Sequence, residues 1–289
     1  MISLAQKIRR WPMFYPALLL AGPAIWFCVF YLAALVSLFV SAFWQVDSLT
    51  GEILHVWTFD NFRELIKEPT YRHVAERTIL LAGAVTLTDA LLAWPFALFM
   101  VRRANARLRG ILMAAVTLPL WCSYLARVYA WRLILSHDGA LNWALHVLHL
   151  PDQTIAYTPW AIWLVFSYLW LPFMILPVAA ALERIAPNLV EASADLGASE
   201  FFTLRRVLLP LALPGLVAGS IFTFSLTLGD FITPMLVGGA GSDFIGNVVY
   251  ASVGVANNVP FAAAFAVLPL MVMLGYVLLA RRLGAFEAL

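Results

Sequence analysis

Long apolar runs separated by short polar segments dominate the chain. A helix needs about 20 mostly apolar residues to cross a bilayer. Six segments meet that length: residues 16–43, 78–101, 111–135, 160–182, 207–237 and 260–280. None alternates apolar and polar positions with a period of two, so tilted barrel strands of about ten residues are excluded. The pattern therefore predicts an all-α fold, a polytopic membrane bundle of six transmembrane helices forming a single domain over residues 1–289. The first run follows Lys7, Arg9 and Arg10. It is about twice the length of a signal-peptide core and is read as an uncleaved signal anchor.

Composition agrees with that picture. Of 289 residues, 63% are hydrophobic and 12% charged, whereas soluble domains carry about 25% charged residues. There is too little polar surface for water to surround the whole chain, and the bilayer is the natural partner. A net charge of +2 gives a polyanion nothing to hold, so nucleic acid is excluded as a partner. Cys28 and Cys122 both sit inside apolar runs. They have no metal-ligand spacing, which argues against a metal site, and are read as small buried apolar side chains.

The cations set the orientation. Cytoplasmic loops of membrane proteins carry an excess of Lys and Arg. Lys7, Arg9 and Arg10 precede the first span; Arg102, Arg103, Arg107 and Arg109 fill the short loop after the second. Arg184, Arg205 and Arg206 lie in the 183–206 loop, and Arg281 and Arg282 follow the last span. The opposite loops hold Arg63, Lys67, Arg72 and Arg77, and Arg127 and Arg132 fall within the third span. Both termini are accordingly predicted to be cytoplasmic. The first external loop, 45–77, is long enough for a small helix with a capped start at Thr58-Phe59-Asp60. Segment 137–159 predicts an amphipathic interfacial helix around Asn142–Leu148, with His137, His146 and His149 as solvated side chains.

The most informative cytoplasmic segment is Glu183–Pro210, ERIAPNLVEASADLGASEFFTLRRVLLP. Pro187 suits a first helical turn. Leu189, Val190, Ser193 and Leu196 follow at helical spacing, a stripe that faces the membrane surface or a partner. Gly197 suits the left-handed residue that ends a helix. Ser199 can cap a second helix with Glu200 in its first turn. The result is a helix–glycine–helix elbow just before the fifth span.

The pattern E-A-S-x-x-x-G-x₉-V-x-L-P, from Glu191 to Pro210, resembles the EAA loop of ABC-importer permeases. Ser193 and Val207 stand where that family has Ala and Ile. The six-span layout and the position of the loop fit as well, so the resemblance covers most of the chain and implies the type I importer fold. It implies that Glu191, Ala192, Ser193, Gly197 and Pro210 belong to a coupling loop that docks on a separate ATPase. A P-loop requires Gly-Lys-[Ser/Thr]. The two lysines, Lys7 and Lys67, lack that context, and the glycine-rich 238–241 stretch has no Lys and reads as a flexible loop. With no hydrolase or metalloprotease motif either, the chain is not read as an enzyme. It is expected to hold no cofactor, ATP and Mg being bound by the partner ATPase.

Charges at membrane depth are costly and mark function by default. Asp89 lies in the second span, Arg127 in the outer half of the third, and Asp230 near the outer end of the fifth. Arg127 and Asp230 lie at similar depth and form a candidate ion pair. Each charge is read either as a structural pair or as part of a solute path. Tyr124, Trp131 and Phe231, beside them, are read either as packing residues or as path contacts. Residues 228–239, LGDFITPMLVGG, and 119–131, PLWCSYLARVYAW, are similar to segments of the spermidine/putrescine permeases, particularly the first of their two permease subunits. That resemblance implies a small polar, amine-bearing solute. It also implies three partners: an ATPase dimer, a second and distinct permease chain, and an extracytoplasmic solute-binding protein. A stand-alone secondary transporter or channel is the competing class. It predicts an internal repeat and several paired intramembrane charges, and the chain offers neither.

Overall fold

A computed structural model describes residues 14–47 and 50–282. Lys7, Arg9 and Arg10, on which the orientation of the first span partly rests, lie outside the described residues. Among the described residues, five helices are long and apolar enough to cross a membrane, and six when one sharply bent pair counts as a single span.

The first span comprises α1 (Phe14–Trp26), a π-helical segment (Phe27–Leu32) and α2 (Ala33–Ser41). It stands apart from the bundle, with Leu20, Ile25, Trp26 and Val29 exposed, and meets the rest mainly where α2 packs on the last helix. A two-residue hairpin follows, β1 (Gln45–Val46) antiparallel to β2 (Ile53–Leu54), a small departure from an all-α fold. Next comes α3 (Asp60–Lys67), in the external loop as expected. The Thr58 hydroxyl accepts from the Asp60 amide at 3.1 Å and closes its first turn.

The second span, α4 (Pro69–Arg102), begins nine residues before the predicted start. Pro69 is preset for a first helical turn, so the polar stretch Arg72–Arg77 is helical before the apolar run begins. The third span departs most from expectation. Instead of one helix over 111–135, α5 (Ala106–Trp121) ends before α6 (Tyr124–Leu135), and the stretch Tyr124–Val147 runs at 98° to α5. Cys122 and Ser123 are extended there, with ψ of 146° and 135°. Pro119, in the last turn of α5, removes an amide that would tie that turn to the one before. Next is α7 (Ala140–Val147), held by buried Asn142, which donates to the His137 and Gln153 carbonyls at 2.9 and 3.2 Å. Trp143 and Val147 point outward, and His146 lies 2.9 Å from the Asp152 carboxylate.

The fourth span is α8 (Pro159–Arg184). Beyond it lie α9 (Pro187–Asp195) and α10 (Glu200–Thr203), and a π-helical turn (Leu204–Leu208) leads into α11 (Leu209–Gly229). The fifth span breaks at Asp230 before α12 (Ile232–Val237), so it is not continuous over 207–237. The last described elements are α13 (Ile245–Gly254) and the sixth span, α14 (Val259–Arg282). Helices α4, α8 and α11 pack mutually and form the centre.

In lipid, apolar area does not drive helices together, and close packing of small residues does much of the work. A Cβ on Gly215 would lie 2.5 Å from that of Ala181 and 2.6 Å from the Pro177 carbonyl oxygen; one on Gly219 would lie 2.6 Å from the Met174 sulfur. The Gly215-x-x-x-Gly219 spacing puts both on the face of α11 that meets α8. On α4, Ala82, Ala93 and Ala97 are fully buried.

Two expectations about small features are corrected. Cys28 and Cys122 are exposed on the chain surface, because the first span stands off the bundle and the third bends at Cys122. The glycine-rich 238–241 stretch is packed rather than loose. Arg77 donates to the carbonyls of Gly241 and Asp243, and a Cβ on Gly239 would lie 2.5 Å from the Tyr157 carbonyl oxygen.

Candidate functional site: the elbow and the intramembrane polar cluster

The predicted elbow is present. Pro187 opens α9 after an extended Ala186. At the other end the Ala198 amide bonds the Ser193 carbonyl at 3.1 Å and the Gly197 amide bonds the Ala194 carbonyl at 2.8 Å. This crossed pair requires a left-handed residue, which Gly197 supplies with φ of +79°. The Ser199 hydroxyl accepts from the Phe202 amide at 3.3 Å and caps α10. Glu200 through Gly229 then runs as one helix, with Pro210 two residues past the last residue of the π-helical turn. Proline cannot donate back to Arg206, so the wide turn sits where the regular ladder has to open.

Buried Ser193 lies against the Thr203 hydroxyl at 2.8 Å, joining the two arms. The predicted stripe divides. Val190 and Ser193 turn toward the bundle, while Leu189 and Leu196 face outward. Its residues serve two faces because the inner one packs on the ends of α4 and α8. Outside, Glu191, Ala192, Leu196, Phe201 and Phe202 are exposed together. A cleft of about 710 Å³ separates the elbow from the end of α4, with Phe99, Arg102, Glu191, Phe201 and Leu208 among its walls.

Arginines brace this elbow in a way that charge counting alone does not reveal. Arg102 donates to the carbonyls of Leu182 and Ile185 at 3.2 and 3.0 Å, occupying acceptors at the end of α8. Arg103 holds both carboxylate oxygens of Glu200 at 3.0–3.1 Å, and Arg109 pairs with Glu183.

Within the bundle, Asp89 is fully buried on α4, and neither carboxylate oxygen has a hydrogen-bond partner. It lines no open path here. Asp230 has a different role from the ion pair expected with Arg127. One oxygen accepts from the amides of Ile232 and Thr233 at 2.8 and 3.2 Å. The other accepts from the Tyr124 and Thr233 hydroxyls, the latter at 2.9 Å. Asp230 thus caps α12, and four donors saturate it. The Arg127 Nε and Nη1 atoms are buried and carry no hydrogen bond.

The predicted aromatic residues lie around this cluster. The Tyr124 ring stacks on Trp170 with centroids 6.0 Å apart. Trp131 meets Tyr168 edge-on at 5.2 Å, and Phe231 stacks on Tyr250 at 4.7 Å. Thr233, Trp170 and Asn247, whose amide donates to the Phe231 carbonyl at 2.7 Å, complete the arrangement. In the sequence Thr233 and Trp170 fall inside apolar runs and Asn247 in the loop after the fifth. The one local signal was Asp230-x-x-Thr233, the spacing of a side-chain cap onto the next turn.

A bundle of bent membrane helices with a folded elbow ahead of its fifth span defines a transport component that spans the bilayer. The family described as "Binding-protein-dependent transport system inner membrane component" matches residues 91–285, and the chain belongs to it. It is 45% identical over 285 residues to the inner membrane ABC transporter permease protein YdcU of Escherichia coli (strain K12), covering 94% of this chain and 90% of that protein. It is 35% identical over 213 residues to the spermidine/putrescine transport system permease protein PotB of Haemophilus influenzae, covering 73% of each. The fold matches a chain of a bacterial alginate ABC transporter solved with its oligosaccharide-bound periplasmic protein. The TM-score there is 0.79 at 21% identity, over 99% of this chain and 98% of that one. The protein is therefore a multi-pass inner-membrane permease subunit of an ABC importer, with the type I permease fold.

Proposed function

We propose that this subunit forms half of a translocation path for a small, polar, amine-bearing solute, powered by a separate ATPase dimer through the elbow. The exposed face of Glu191, Ala192, Leu196 and the two phenylalanines carries that reading. It is an apolar, acid-edged surface at the polar boundary of a membrane protein, rigidly tied to the fifth span through Glu200–Gly229. Surface of this kind is interaction surface. Gly197 sets its angle, Ser193 locks its two arms, and Pro210 marks where it enters the span. Closure of the ATPase pair would then move helices as rigid bodies between two access states.

The other parts of the assembly follow from the same reading. ATP and Mg belong to the ATPase, and this chain holds no cofactor. A second, distinct permease completes the path, and an extracytoplasmic binding protein delivers the solute. Both termini face the cytoplasm. The amine follows from likeness to PotB, whose name gives spermidine and putrescine as its solutes, and from ring faces such as Phe231–Tyr250 that suit a cation. Reconstitution into liposomes tests the proposal. Uptake is expected to need the ATPase, ATP and the binding protein, and to be lost with Glu191→Lys or Gly197→Pro. Uptake by the permease chains alone would instead make this a secondary transporter.

A further inference from the structure

Three side chains on α6 and α8, Arg127, Ser167 and Trp170, keep buried N–H or O–H groups without a hydrogen-bond partner. Tyr124, Arg127 and Trp131 share one stripe of α6, spaced by about one helical turn. The flanking two rest on α8, Tyr124 on Trp170 and Trp131 on Tyr168, which places Arg127 between them along the α6–α8 seam. The Trp170 indole N–H and the Ser167 hydroxyl, one turn apart on α8, are more than nine-tenths buried and have no partner. Neither do the Nε and Nη1 groups of Arg127. The Asp230 carboxylate is not free to meet them, since both its oxygens are saturated by Tyr124, Thr233 and two amides, and the unpaired Asp89 carboxylate is carried by α4.

Buried donors in native proteins are almost always paired, and a guanidinium at membrane depth normally finds an anion or a carbonyl. Unfilled N–H and O–H groups gathered at one seam are what an acceptor-bearing ligand needs. A diamine brings only further donors to this place, whereas a carboxylate brings two acceptor oxygens and the charge that Arg127 lacks.

We propose that Arg127, Trp170 and Ser167 form a subsite for the carboxylate end of the solute, which is thus an amino acid with well-separated amine and carboxylate rather than a simple polyamine. This rests on the amine-bearing reading above and narrows it. The probes are γ-aminobutyrate and the matching diamine putrescine, equal in chain length and different at one end. Uptake of each is measured in vesicles holding the complete importer with its binding protein. The wild type is expected to take up γ-aminobutyrate. In Arg127→Gln the ratio of γ-aminobutyrate to putrescine uptake is expected to fall about tenfold or more, as for loss of a hydrogen bond to a charged group. Trp170→Phe keeps an aromatic ring against Tyr124 while removing the N–H along with part of the indole, so a fall of a few fold in the same ratio is expected. It carries the test if Arg127→Gln does not assemble. A wild type that imports putrescine alone, or variants in which the ratio does not change, overturns the carboxylate subsite and leaves the amine reading intact. Import of neither probe overturns both.

Discussion

The Ser193 hydroxyl lies 2.8 Å from that of Thr203, buried between the two arms of the elbow. One partner sits on α9 and the other at the root of the fifth span, so this contact makes the outward face and the span a single body. Ser193→Ala removes one buried hydrogen bond, and Thr203 keeps its contact to the Ser199 carbonyl at 3.3 Å. A loss of about 1 kcal/mol is expected, with uptake reduced less than about threefold. Ser193→Leu places a bulky group in the same gap and is expected to part the arms. Its complexes should hydrolyse ATP without importing solute, as read by comparing ATPase and uptake rates in one preparation.

Two adjacent arginines are expected to behave differently. Arg103 meets Glu200 in the open, with both side chains well exposed. Such pairs contribute about 0–1 kcal/mol, so Arg103→Gln should leave thermal stability nearly unchanged. Arg102 instead caps the end of α8 through two carbonyls and is half-buried. Arg102→Gln is expected to cost about 1–3 kcal/mol and to lower the melting temperature of the purified complex.

Close contact between α8 and α11 depends on two missing side chains. A Cβ at either Gly215 or Gly219 would fall inside van der Waals distance of α8. Packed interiors that must expand lose about 1–3 kcal/mol per overfilled site. Gly219→Ala is expected to reduce stability by that amount, since its Cβ would press on the Met174 backbone at 3.0 Å as well as on the sulfur. Gly215→Val, which presses on the Pro177 backbone, should prevent accumulation of the folded subunit, as judged by detergent-soluble monodisperse protein.

Much of this structure could be read in the chain. Six apolar runs mark five spans and a bent sixth, and the elbow from Pro187 to Ser199 folds by capping rules that act within a few residues. The features that escaped depend on tertiary context. Pro119 signals a break, yet a 98° turn at Cys122–Ser123 needs neighbouring helices to fix its size. The positive-inside excess locates Arg102 and Arg103 without revealing that one grips α8 and the other Glu200. Equal depth suggested pairing Arg127 with Asp230, but Asp230 is taken by its own following turn and by Tyr124. Local capping donors reached that carboxylate at lower entropic cost than a long side chain from another helix.

Asp89 carries the last prediction. It is fully enclosed and neither carboxylate oxygen is hydrogen-bonded, so replacing it removes no hydrogen bond. Asparagine has nearly the same volume and no charge. Because burying an isolated charge is far more expensive than burying an amide, Asp89→Asn is expected to match or exceed wild-type thermal stability. Asp89→Lys adds volume and a cation in the same enclosed place and should abolish assembly. Uptake separates packing from transport. If Asp89 only fills space between α4, α8 and α11, the Asn variant should import at close to the wild-type rate. A stable, fully assembled Asp89→Asn complex whose uptake falls tenfold would instead show that this carboxylate meets the solute or a proton in another access state.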